Sequence, residues 1–224
     1  MSDYRILELP EEEIELSASG VQLGATLTVP PDARGLVIFV HGSGSSRFSS
    51  RNKYVANTMN RAGLGTLLMD LLTPQEEAID NVTRHLRFDI GLLADRVSGA
   101  VEHVRHHPEL GRLGVGLFGA STGAAAALIA AARHPETVRA VVSRGGRPDL
   151  ANGAISKVKC PTQLIVGSED GVVVTLNEQA YHRLRSEPRQ IVIIQGAGHL
   201  FEEPGTLDEV AKHATEWFAM HLNA

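Results

Sequence analysis

The 224 residues can bury one sizeable core, so one α/β domain spanning 1–224 is expected rather than two small ones. Hydrophobic residues make up 43% and charged residues 21%, a globular balance, and no stretch approaches the roughly 18 uninterrupted apolar residues a membrane helix needs. The formal charge is −5 and the basic residues are scattered, which leaves no electrostatic footprint for nucleic acid.

In chain order, the opening "MSDYRILELPEEEIEL" is acidic and lacks a basic region followed by an apolar one, so no secretory signal is expected and a cytoplasmic location is. Residues 14–30 alternate in polarity and turn at Ser19 and Gly20, the pattern of an antiparallel hairpin at a sheet edge. Short β-branched runs then alternate with helical patterns. Strands are predicted at 36–40, 66–70, 113–118, 138–143, 163–167 and 190–194, about eight with the hairpin. The six are apolar throughout, as parallel strands covered on both faces should be.

Helices are predicted near 50–62, 89–106, 122–133, 176–186 and 207–221. In the second, Leu92, Leu93, Val97, Val101 and Val104 recur at helical spacing and should face the sheet. His103, His106 and His107 close that helix before Pro108, where imidazoles suit the negative end of the helix dipole, and no metal cluster is expected. Thr175 with Glu178, and Thr206 with Glu209, have the spacing of capping boxes. The stretch 73–88, "TPQEEAIDNVTRHLRF", receives no element and could form a partial cover over a site. The lone Cys160, at the mouth of a strand, reads as a small packing residue.

"GLFGASTGAAAA", residues 116–127, contains G-x-S-x-G where a strand gives way to a helix. A serine in that turn takes strained backbone angles so that its hydroxyl projects above the sheet. Gly119 and Gly123 relieve the resulting crowding, and the alanines after Ser121 let the helix approach closely and aim its positive end at the hydroxyl. Gly114, Gly116 and Gly119 also spell G-x-G-x-x-G, but they fall within a strand rather than after it. No acidic residue closes the next strand, so a dinucleotide is not expected.

Acyl transfer also needs a base, a group that orients it, and oxyanion donors. "VGSEDGVV" ends one strand with an acidic pair, and the spacing Gly167, Asp170, Val173 favours Asp170 over Glu169. With Thr175 capping the next helix, Asp170 would be left free in the loop. "IIQGAGHLFEE" ends the next strand with His199. The oxyanion donors should be the backbone N–H of Thr122, after the nucleophile, and that of Ser43 in the turn "HGSGSS". That turn lacks the lysine of a phosphate-binding loop, and His41 reads as a structural hydrogen-bonding residue.

With "HGSGSS", "GASTG", "GSEDGVV" and "GAGH" in register, the chain resembles the α/β-hydrolase superfamily, and within it the small dienelactone-hydrolase-like branch, from about Gly20 to Leu222. Dienelactone hydrolases proper carry a cysteine nucleophile where this sequence has Ser121. "MDLLTPQEE" and "SRGGRPDL" are similar to stretches of relatives, some of them joined to phosphoribosyltransferase domains. The resemblance implies a mostly parallel sheet with helices on both faces and no cap domain, since only 144–160 separate two strands where larger esterases insert a cap.

The chemistry it implies is a Ser121–His199–Asp170 triad acting on small esters or lactones through an acyl-enzyme, with no metal and no organic cofactor. Activity should then fall below about pH 6 to 7, because the base must be neutral. Arg144 and Arg147, after a strand's C-terminal end, could hold a substrate carboxylate, or could be solvated or paired with Asp149. Thioesterase, acyltransferase, peptidase and non-catalytic binding roles share the fold, as do monomeric and homodimeric states.

Overall fold

A computed structural model describes residues 9–222; residues 1–8, the start of the acidic opening, lie outside the described residues. Eight strands form one sheet. β1 (Glu12–Ala18) and β2 (Val21–Thr28) make the expected hairpin, turning through positive φ at Ser19 and Gly20. β2 pairs antiparallel with β4 (Gly65–Met69). From there β3 (Gly35–Val40), β5 (Gly114–Ala120), β6 (Val138–Arg144), β7 (Thr162–Gly167) and β8 (Arg189–Ile194) run parallel, in the order β4-β3-β5-β6-β7-β8. Val40 lies opposite Gly119, Gly119 opposite Ser143, and Arg144 opposite Ile165, so the C-terminal ends of four central strands finish at one edge. Ligands of open parallel sheets bind at that edge.

Alternation divides each strand between two cores. Leu36, Ile38, Val40, Leu117 and Val141 face α3 (Ile90–His106) and α4 (Thr122–Arg133), whereas Val37, Phe39, Phe118 and Val142 face α1 (Ser50–Arg61) and α6 (Thr206–His221). The apolar stripe of α3 is buried at Leu93, Val97, Val101 and Val104, each stabilising the fold by about 1.5–3 kcal/mol. Leu92 stays half-buried at the margin, and Ala94 and Ala100 complete the stripe instead. Gly114 and Gly116 admit α6, since a Cβ would lie 2.8 Å from the Leu222 carbonyl oxygen and 2.6 Å from the Phe218 ring respectively. These glycines serve packing within a strand.

Three local expectations need correction. α5 (Gly171–Arg183) begins five residues before the expected start, so Thr175 lies inside it and bonds back to the Gly171 carbonyl at 3.5 Å. α6 is entered through Gly205 in the left-handed region, and Thr206, its first residue, bonds the Glu203 carbonyl at 2.8 Å. Neither threonine caps: the same spacing occurs within a first turn once the chain has already become helical. The capping box that does form joins Thr73 and Glu76, with Pro74 at the first helical position. It starts α2 (Pro74–Thr83), in the stretch to which the sequence assigned no element. Between β6 and β7 a 3-10 segment, Pro148–Lys157, packs on α4 and α5 in place of a cap.

Candidate active site

Ser121 follows β5 directly, with φ 49° and ψ −122°, a conformation that costs a non-glycine residue about 1–3 kcal/mol. The strain is held by backbone bonds on both sides: its N–H donates to the Arg144 carbonyl at 3.2 Å, and its carbonyl accepts from Arg147 N–H at 3.0 Å and Ala124 N–H at 3.1 Å. The flanking glycines are sterically required. A Cβ on Gly119 would lie 2.5 Å from Ala124 Cα, and one on Gly123 2.3 Å from the Val40 carbonyl oxygen. α4 is thereby pressed against the sheet, with Thr122 and Ala124 to Ala127 all buried.

The structure brings Ser121, His199 and Asp170 together. His199 Nδ1 donates to Asp170 Oδ2 at 2.6 Å, which leaves Nε2 to accept from Ser121 Oγ at 3.3 Å. Asp170 occupies the N-cap position of α5 yet makes no capping bond; its carboxylate turns to the imidazole instead. It is therefore available, though not because Thr175 replaces it as a cap. Glu169 points away, accepting from Ser168 Oγ at 3.1 Å. The loop bearing His199 is anchored by Phe201, which is 1% exposed, while the His199 side chain is 38% exposed and so reachable by a solute.

Ser43 and Thr122 stand across the turn from one another. Ser43 N–H donates to Thr122 Oγ1 at 3.0 Å, the two hydroxyls are 2.9 Å apart, and Thr122 is the first residue of α4, where backbone N–H groups have no helical acceptor. His41 is buried and donates from Nδ1 to the Gly42 carbonyl at 2.9 Å. Burial is the chief force holding its pKa below the usual histidine value.

The two arginines after β6 separate. Arg147 Nε and Nη2 bind the Asp149 carboxylate at 2.8 and 2.7 Å, so of the expected pair it is the one already taken. Arg144 is only 7% exposed and among the described residues pairs with no carboxylate; Nη2 donates to Asn52 Oδ1 at 3.3 Å and the guanidinium lies 5.9 Å from the Phe201 ring centre, while Nε and Nη1 have no hydrogen-bond partner among those residues. Burial, and then the charge of Arg51, push its pKa down to about 10. Asn52 was not legible as a neighbour, because it comes from α1, ninety-two positions away in the chain. Cys160 lies at the opposite, N-terminal end of β7, and burial pushes its thiol up to about 12. Among the described residues no group of three or more His, Cys, Asp or Glu could hold a metal ion, and no helix is long and apolar enough to cross a membrane.

A mostly parallel sheet carrying a strained serine between β5 and α4, with a carboxylate on the loop after β7 and a histidine on the loop after β8, defines the α/β-hydrolase fold and its strand-to-helix elbow. The comparisons narrow this. The model of the dienelactone hydrolase family matches residues 23–222, and the chain belongs to that family. It is 56% identical to a dienelactone hydrolase of known structure from Anabaena variabilis, with a TM-score of 0.94, over 96% of this chain and 99% of that one. Est1E from Butyrivibrio proteoclasticus shares the fold at 16% identity, with a TM-score of 0.77, over 93% of this chain and 98% of that one. Two curated Mycobacterium tuberculosis proteins, both named as phosphoribosyl transferases, are 51% identical over 214 residues, which is 96% of this chain and 47% of theirs. The chain thus spans about half the length of the curated relatives it matches.

Proposed function

We propose that this protein is a serine hydrolase that cleaves small carboxylic esters or lactones. Ser121 Oγ attacks the carbonyl carbon, His199 Nε2 takes its proton and returns it to the leaving oxygen, and Asp170 orients the imidazole and stabilises its cation. Water then cleaves the acyl-enzyme by the same route in reverse. The N–H groups of Ser43 and Thr122 receive the developing oxyanion, where loss of one donor typically costs about 3 to 4 kcal/mol of transition-state stabilisation. The continuous Asp170–His199–Ser121 contact, 2.6 and 3.3 Å, carries this reading, and family membership supports the ester or lactone class. The phosphoribosyl transferase name belongs to proteins about twice as long, and their match to this chain takes in most of residues 23–222, which the dienelactone hydrolase model covers.

A serine-directed fluorophosphonate should label the protein stoichiometrically, and Ser121→Ala should abolish labelling and turnover. A folded parent protein that resists the reagent would overturn the proposal.

Arg144 supports a narrower choice of substrate. A buried guanidinium with two nitrogens that lack a hydrogen-bond partner among the described residues, on a residue whose backbone carbonyl accepts the Ser121 N–H, is best satisfied by an anion, so an ester whose acyl part bears a carboxylate is the favoured class. Arg144→Gln should reduce kcat/KM on an anionic ester by about tenfold or more while changing a neutral one of the same size far less. Equal losses on both would dismiss this role.

A further inference from the structure

The stretch 73–88 does more than border the site. α2 ends at Arg84 in the left-handed region, and a 3-10 turn, Leu86–Phe88, brings Arg87 back onto Asp80. Arg87 N–H donates to Asp80 Oδ1 at 3.1 Å and Arg87 Nε to Oδ2 at 2.5 Å, while Nη2 reaches the Asp80 carbonyl and Asn81 Oδ1, each at 3.3 Å. Asp80 is 2% exposed, and Arg87 is the cation that pairs with it. So held, Arg87 touches the oxyanion turn twice. Its Nη1 lies against Gly44, 3.1 Å from where a Cβ would stand, and its carbonyl accepts the Ser43 hydroxyl at 3.1 Å.

Hydrogen-bond direction then follows by elimination. A carbonyl can only accept, so the one Ser43 Oγ hydrogen goes to Arg87, and the Thr122 hydroxyl must donate to Ser43 Oγ while accepting from Ser43 N–H. The turn is clamped between α2 and α4. On one side it has little else to rest on, because residues 42–46 line a cavity of about 110 Å³ together with Asp70, Asp80 and Arg87.

We propose that Asp80 and Arg87 are positioning residues for the oxyanion donor: through the Arg87 carbonyl and the Ser43 hydroxyl they set where Ser43 N–H points. This rests on the hydrolase reading above and adds to it a requirement outside the triad. Ser43 N–H is spent on Thr122 Oγ1 in the free protein and transfers to the substrate oxygen during reaction; the clamp keeps the turn in place through that exchange.

The test uses fluorophosphonate inactivation of the full chain, because the phosphonyl oxygen takes the oxyanion's place and no natural substrate is needed. Asp80→Ala and Ser43→Ala, the latter keeping its N–H, should each lower the maximal inactivation rate by about tenfold, with half-saturating concentration changed less than about threefold. The double variant should be no slower than the slower single one, since both act through one carbonyl. A lowered melting temperature with an unchanged rate would make Asp80 merely structural and overturn the proposal, as would multiplicative losses in the double variant. Should Asp80→Ala fail to fold, Ser43→Ala decides alone: an undiminished rate overturns the inference. If instead Ser121→Ala is still labelled, or the parent is not, the hydrolase reading itself has failed.

Discussion

On the histidine side of Ser121 the loops are fastened backbone to backbone. Ser168 N–H donates to the Ile194 carbonyl at 2.9 Å, Glu169 N–H to Ala197 at 3.0 Å, and Gly145 N–H to Ile165 at 2.8 Å. On the Ser43 side the turn is fastened by side chains: Asp80 through Arg87, the hydroxyls of Ser43 and Thr122, and Asp70, which accepts Arg47 N–H at 2.9 Å and pairs with its guanidinium. The difference teaches where each half is vulnerable. Backbone fastening ignores most substitutions but needs glycine wherever two chains nearly touch, whereas side-chain fastening is exposed to every deletion of a polar group.

The largest expected effect is at Gly167, where a Cβ would stand 2.2 Å from the Ala197 carbonyl oxygen and 2.7 Å from that of Gly198. Gly167→Ala should destabilise the fold by about 2 to 3 kcal/mol and displace Asp170 and His199, measured by thermal unfolding and by labelling rate. A parent-like melting temperature there would break the comparison. The smallest effect is at Ser168, whose Oγ accepts Gly196 N–H at 2.8 Å at an exposed position. Ser168→Ala should cost under about 1 kcal/mol and leave the labelling rate within about twofold of the parent. Set against Ser43→Ala, the same deletion of one hydroxyl on the opposite side, it sharpens the comparison: a loss at Ser168 as large as at Ser43 would mean the two sides are held alike.

The elbow was legible because its requirements are local. Gly119, Ser121 and Gly123 satisfy a strained turn within five residues, and the alanines that follow announce a helix pressed onto a sheet. The strands were legible from unbroken apolar runs, and each was found within two residues of its expected limits. α2 was missed although Thr73, Pro74 and Glu76 carry its start signal, because its short run of Ile79 and Val82 leaves both side chains exposed and gives no apolar stripe. Thr175 and Thr206 misled for the complementary reason: a hydroxyl three residues before a carboxylate marks a helix start only if the chain is not yet helical there.

The order of the strands and of every α-helix but α2, the turn that must hold Ser121, and the loops that carry Asp170 and His199 follow from residue types whose local geometry or burial is their own. What needed the folded chain was pairing at long range. Arg147 has a carboxylate two residues away and takes it, while Arg144 meets an asparagine from α1 and the ring of Phe201; Arg87 reaches Ser43 across forty-four positions. Such contacts depend on where separate elements come to rest against one sheet, and a polar group's partner, unlike its propensity, is a property of that arrangement.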